Sequence, residues 1–200
     1  MIKLLTAGIL LATSMLAANA AQDASGAAVE TWDLDPVHSA TLFRVQHVGA
    51  GQFWGRINEV TGTVDWPRDD AKAPVFDVAI GMESIDTGNE KLDRNLKSPD
   101  FFNAREFATS TFKSTDAQRV SERKWRVTGD MTMLGQTRPV TAEVEVTGVM
   151  GNPVQAKAGW EAIFSIKRSE FGMNWGVENG AVGDDVKIIV ALEGKIEPGN

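Results

Sequence analysis

Cysteine and tyrosine are absent from the 200 residues, and histidine occurs twice. Without cysteine there are no disulfides, zinc ribbons, iron–sulfur clusters or thiol nucleophiles, and no lipid anchor through a cysteine. Imidazole chemistry falls to His38 and His47 alone, nine residues apart and flanking a strand, with no third ligand alongside, so no metal site is expected. Ser39 follows His38 directly, and adjacent strand residues face opposite ways, which rules the two out as a nucleophile and its base. A Gly-x-Ser-x-Gly elbow, a phosphate loop and a dinucleotide fingerprint are all missing. No catalytic residue and no cofactor are therefore expected. Basic residues are also scarce: 20 Lys and Arg stand against 27 Asp and Glu, a net charge of −7. Binding to a phosphate backbone needs clustered cations, so nucleic acid is not an expected partner.

Long apolar runs are lacking too, apart from the start of the chain. Lys3, the apolar stretch from Leu4 to Leu16 and the small-residue site Ala18-Asn19-Ala20 read as a cleaved secretory signal over residues 1–20. The expected compartment is the bacterial periplasm. Residues 21–29 read as a flexible lead-in, and residues 30–198 as one domain without linker or repeat. No later segment approaches the ~20 apolar residues of a spanning helix.

What the chain does have is a period of two. Phe76, Val78, Ile80 and Met82 alternate with smaller or polar residues, as do Val140, Ala142, Val144 and Val146. Trp160, Ala162, Phe164 and Ile166 repeat the pattern, and so do Ile188, Val190 and Leu192. Weaker alternation covers Thr41–Val48, Ile57–Trp66, Thr109–Thr115 and Lys124–Met133. One buried and one wet face per strand accounts for this, and short gaps leave no room for βαβ crossovers. Turn chemistry at Pro67-Arg68-Asp69-Asp70, Gly135-Gln136, Gly151-Asn152-Pro153 and Gly183-Asp184 separates the strands. The expectation is an all-β fold, an eight-stranded antiparallel barrel with apolar residues inside and one short helix. That helix is expected where Thr87-Gly88-Asn89-Glu90 has the spacing of a capping box, with Leu92 and Leu96 on one face and Pro99 ending it. The polar members of the alternation would be costly facing lipid and there is no tyrosine girdle, so a membrane-embedded barrel is not expected.

Nine Phe, six Trp and seven Met supply a large apolar interior, and composition leaves a packed core and a ligand cavity evenly balanced. The candidate lining is the inward set Phe43, Val45, Phe76, Val78, Ile80, Phe112, Trp125, Val127, Met131, Val144, Phe164, Ile166, Ile188 and Val190. Leu92, Leu96, Phe101 and Phe102 form either a gate or a plug, and Met173 and Trp175 complete the candidate ligand-binding set. Trp54, Trp66 and Trp175 fall near strand ends, where a ring can rim an opening. Arg44, His47 and Arg168 are candidates for the mouth, where a head group would be met.

Six blocks in order give the chain a resemblance. They are Trp32 to Ser39, Phe43 to Gly49, Gly55-Arg56-Ile57 with Gly62-Thr63-Val64, Ile85 to Phe102, Gly129 to Val140, and Lys167 to Met173. In the longest, Asp93, Leu96 and Phe101-Phe102 carry the spacing. From about Thr31 to Glu197 the chain resembles the YceI-like family of periplasmic lipid- and polyisoprenoid-binding proteins. The resemblance implies a lipocalin-like barrel holding a long isoprenoid or other amphiphile, of polyprenyl or quinone type, for transport or storage, with transient exchange at a membrane and, in several members, a homodimer. The sequence departs at Phe107-Ala108, where Tyr-Pro is common, and at Asn95, where His is frequent. Two other readings stay open: an enzyme acting on such a lipid with His38 or His47 as base, and a stress-response module that binds a partner.

Overall fold

Strands form where apolar residues recur at every second position, and their lengths set the shape of the barrel. The computed structural model describes residues 29–67, 72–151 and 156–196. The signal segment, residues 21–28, and parts of the turns at Pro67-Arg68-Asp69-Asp70 and Gly151-Asn152-Pro153 lie outside them.

Among the described residues are β1 (Val29–Leu34), β2 (Ala40–His47), β3 (Gly51–Pro67), β4 (Val75–Asp86), α1 (Glu90–Leu96), β5 (Thr109–Arg119), β6 (Lys124–Met133), β7 (Gln136–Met150), β8 (Lys157–Lys167), a 3-10 turn (Arg168–Phe171) and β9 (Val182–Lys195). Consecutive strands from β2 to β9 pair antiparallel, and the β2–β9 ladder from Ala40↔Ala191 to His47↔Val182 closes the cylinder. The wall therefore has eight positions, as the alternation predicted, although it is built from nine strands. β1 and β2 share one position: β2 pairs with the first part of β3, and β1 with its last part, from Asp33↔Thr63 to Val29↔Pro67.

The break between β1 and β2 has a local cause. Pro36 has no N–H to give a ladder, and Asp35 turns the chain by accepting the Val37 N–H at 2.9 Å. Long β3 spans both partial strands by bending. Its register shifts between Ile57 and Glu59, and Gly62 takes φ +127° where an added Cβ would run into the Asp77 carbonyl oxygen of β4. Gly55 serves packing instead: a side chain there would occupy the space of the Phe43 ring.

The inward rows form one core. On β4 Phe76, Val78, Ile80 and Met82 are all buried, and Val60, Val64 and Val127 are fully enclosed. Outward positions such as Asp77, Lys113, Glu143 and Lys187 carry charge, with Lys113 paired to Asp77 at 3.2 Å. No described helix is long and apolar enough to cross a membrane.

The two ends differ. At one, which we call the tryptophan end, Trp32, Trp66, Trp125 and Trp160 pack with Phe76. Ring centroids lie 5.6 Å apart for Trp66–Trp125, 5.9 Å for Trp66–Trp160 and 6.1 Å for Trp32–Trp160. Arg119 lies over the Trp125 ring at 5.9 Å. At the opposite end α1, the 97–108 segment and the 168–181 segment lie over the opening, beside the tight β6–β7 hairpin, where Leu134 and Gly135 both take positive φ.

α1 starts one step differently from the capping-box expectation. Asn89, not Thr87, is the N-cap, its side-chain oxygen accepting from the N–H groups of Lys91 and Leu92. Thr87 turns to Asp93 instead: its hydroxyl and its N–H both donate to Asp93 Oδ1, at 2.6 and 2.7 Å. Gly88 at φ +74° allows this tighter turn. Gly183-Asp184, expected as a turn, is the start of β9, with Asp184 accepting from the Ser169 N–H and hydroxyl at 2.9 Å each.

These carboxylates carry a pH prediction. The Thr87 hydrogen bonds hold the Asp93 carboxyl below its usual range, and His38 Nδ1, 2.8 Å away, with the Val37 N–H does the same for Asp35. A carboxyl with a lower pKa folded than unfolded binds fewer protons when folded, so its contribution is present above about pH 4 and lost as pH falls through the folded value. The thermal midpoint should hold steady from neutral pH to about pH 5 and drop below about pH 4, and Asp93→Asn should lower the neutral plateau and shrink that drop. Calorimetry across pH 3–7 checks this; an Asp93→Asn drop as large as that of the parent chain would count against the Thr87–Asp93 anchor.

Candidate functional site: an apolar channel inside the barrel

Among the described residues, two apolar cavities lie within the barrel. The larger, about 90 Å³, sits beneath the helix end and is lined from β2, β3, β4, β5, β6, β8 and β9, with Leu96, Phe101, Phe102 and Met173 closing it from the end segments. The smaller, about 50 Å³, lies deeper and reaches Phe76 and Leu192 beside the tryptophan end. Ile80, Ser110, Met131 and Phe164 line both, so the two spaces meet at one waist. The interior is thus hollow but slender. Each space is well under the ~300–1,000 Å³ of a pocket for a drug-sized ligand. Met82, Met131, Met133 and Met173 all line the larger space, and unbranched thioether side chains give way more easily than branched ones.

Most of the expected lining faces these spaces. Phe43, Val45, Ile80, Leu96, Phe101, Phe102, Met131, Phe164, Ile166, Met173 and Ile188 line the larger, and Phe76, Val78, Phe112, Val127, Val144 and Val190 the deeper one. Three expected residues lie elsewhere. Trp125 belongs to the tryptophan cluster, Leu92 is half-buried on a helix that turns only Leu96 fully inward, and Trp175 is 49% exposed with its ring 5.3 Å from that of Phe101. Of the two other ring positions, Trp66 is inside the cluster and Trp54 on the outer wall beneath Arg44.

The mouth residues separate as well. Arg44 is directed outward by strand parity and lies over the Trp54 ring at 5.8 Å, so it does not meet the cavity. His47 is exposed at the end of β2. Arg168 does line the larger cavity, but as a buried group only 2% exposed. It donates from Nε to the Gly183 carbonyl at 2.7 Å, from Nη1 to Met173 at 3.0 Å, and from Nη2 to Trp175 at 2.8 Å and Val182 at 2.7 Å. Burial lowers its pKa, with Asp184 opposing, yet a guanidinium remains charged throughout the working range. Two of the carbonyls, of Met173 and Trp175, belong to the looped segment and two, of Val182 and Gly183, to the start of β9, so Arg168 pins that segment to the sheet over the channel.

The candidate lining left out Thr41, Ile57, Met82, Ser110, Met133, Val182 and Val186, all of which line the larger space. The signal was present for five of them: Thr41 shares its strand face with Phe43 and Val45, Met82 with Ile80, Ser110 with Phe112, Met133 with Met131, and Val186 with Ile188.

His38 lies apart from the channel. Its Nδ1 is 2.8 Å from Asp35 and 3.6 Å from Glu193, and Lys157 bonds Glu193 and stands 3.9 Å from Asp35. Asp35, His38 and Glu193 bring ligand-type atoms within 4.8 Å of one another, but the Lys157 ammonium already serves two of the three. The cluster ties the break between β1 and β2 to β8 and β9.

A profile of the YceI-like domain matches residues 32–194, which is nearly the whole described barrel. The chain belongs to the YceI-like family. Protein YceI of Escherichia coli O157:H7 is 31% identical over 163 residues, 81% of this chain and 84% of that one, and Protein YceI of Salmonella arizonae matches to the same extent. Among solved structures, BcnA of Burkholderia cenocepacia superimposes with a TM-score of 0.69 at 25% identity, covering 80% of this chain and 99% of its own. A polyisoprenoid binding domain from Saccharophagus degradans, implicated in plant cell wall breakdown, has a TM-score of 0.65 at 13% identity, covering 82% and 98%; at that identity the likeness is one of fold. The two interior spaces of this chain thus lie within a YceI-like barrel.

Proposed function

We propose that this YceI-like barrel binds a long-chain lipid of isoprenoid type along its channel, as a carrier or store and without chemical turnover. The observation that carries the reading is the channel itself: two apolar spaces joined at Ile80, Met131 and Phe164, covered at one end by the segment Arg168 pins and filled at the other by tryptophan rings. Each CH₂ moved from water into such a lining contributes about 0.8 kcal/mol, so a long hydrocarbon is held without many hydrogen bonds. The narrow bore suits a slender chain, and the four methionines let it widen on loading. Family membership and the fold shared with a polyisoprenoid binding domain support the same reading. The sequence features at residues 1–20 favour a periplasmic setting, with exchange at a membrane surface.

Native mass spectrometry of the purified protein before and after solvent extraction tests the proposal: a bound lipid lost on extraction and regained from long-chain isoprenoids is expected, and no uptake would sink it. A filling substitution adds a second check. Ala142 faces the deeper space, so Ala142→Leu should cut the bound lipid several-fold at a cost to stability of about 1–3 kcal/mol. Undiminished lipid content would place the ligand elsewhere.

A further inference from the structure

The apolar lining contains polar groups with unspent hydrogen-bonding capacity. Among the described residues four buried side-chain atoms have no hydrogen-bond partner: Trp32 Nε1, Thr41 Oγ1, Ser98 Oγ and Trp160 Nε1. Of these residues Thr41 alone lines either interior cavity. It is 4% exposed, on the inward row of β2, where valine would fill the same space without an unpaired hydroxyl. Burying a hydroxyl without a partner is unfavourable, and a ligand that supplies one removes that cost. Ser110, also 4% exposed, lines both cavities at their waist, and its hydroxyl reaches only the Met82 sulfur at 3.6 Å, a weak acceptor.

The charged group in the lining is in the opposite condition. Arg168 donates to four backbone carbonyls, so its hydrogen bonds are committed to the cover over the channel. An anionic head group taken into this lining would lose its hydration and meet no uncommitted cation among the lining residues. An uncharged oxygen loses much less and finds two hydroxyls.

We infer that the lipid carries an uncharged oxygen function, an alcohol or a carbonyl, and that this oxygen bonds Thr41 Oγ1 inside the channel with Ser110 as the second partner. The inference rests on the lipid-binding reading above and narrows its ligand class. It is tested by titrating extracted protein with geranylgeraniol, the matching hydrocarbon without the hydroxyl, and geranylgeranyl diphosphate, following tryptophan fluorescence. The alcohol should bind about tenfold more tightly than the hydrocarbon. Thr41→Val should erase that advantage, bringing the ratio of alcohol to hydrocarbon affinity to about one, and Ser110→Ala should reduce it. Equal affinity of the parent chain for alcohol and hydrocarbon, tighter binding of the diphosphate, or an advantage that survives in both variants would each overturn the inference. If Thr41→Val does not fold, the parent comparison and Ser110→Ala decide. Binding of none of the three probes would instead bring down the lipid-binding reading itself.

Discussion

Arg168→Met should destabilise the barrel by about 2–5 kcal/mol and let bound lipid exchange faster. Methionine replaces the stem of the side chain but none of its donors, so the carbonyls of Met173, Trp175, Val182 and Gly183 lose their common partner. A buried polar group left unpaired costs about 1–3 kcal/mol, and the partly exposed segment can rehydrate some of the four, which sets the range. The second effect follows from geometry. Met173 lines the larger cavity and Trp175 packs against Phe101, so a released segment uncovers the channel. Urea unfolding and the rate of lipid transfer to vesicles measure the two; a loss under about 1 kcal/mol with unchanged transfer would show that the segment holds without its guanidinium.

Trp160→Ala should have a comparable cost through a different mechanism. The ring is 2% exposed and contacts Trp32, Trp66 and Phe76, so its removal leaves a hole among three other rings. Burial loss plus the residual cavity puts the expected destabilisation at about 3–5 kcal/mol. The same substitution opens the floor of the deeper space, because Phe76 and Leu192 line that space and Trp160 pairs with Leu192 across the β8–β9 ladder. Lipid uptake should survive in material that remains folded, with a longer chain accommodated. A midpoint shift worth less than about 1.5 kcal/mol would mean that the ring is replaced by rearrangement of its neighbours.

How much of this could be read in the sequence follows from what alternation encodes. A period of two says which side chains share a face, and it assigned Phe76 to Met82, Ile188 to Leu192 and the β8 row to the interior because barrel walls keep that parity throughout. It does not say at what height along the axis each residue lies. Trp125 has inward parity and was therefore grouped with the lining, whereas register places it opposite Arg119 and Val144 at the filled end. Nor does parity reach the end segments. Arg168 sits just beyond β8 in a 3-10 turn, and its four acceptors include residues up to fifteen positions away, a pairing with no local signature. Thr41 escaped notice for another reason: a threonine in a strand is ordinary, and its lack of a partner exists only in three dimensions. The capping-box spacing at Thr87 was real as a pattern, but Asn89 competed for the same N–H groups and won.

The break in the first wall position has one more consequence, and it concerns assembly. β9, made after the other described strands, pairs with β8, with β2 and with the end of β1. Until it arrives, β2 and β8 present open edges to each other and to other chains, and an uncovered edge is a template for pairing with the wrong partner. Closure then joins Ala40 to Ala191, a contact of high sequence separation of the kind that slows folding. The barrel therefore cannot close piece by piece from β1 onward: it waits on β9, and any truncation within residues 182–195 should be felt as loss of the whole barrel rather than of one strand.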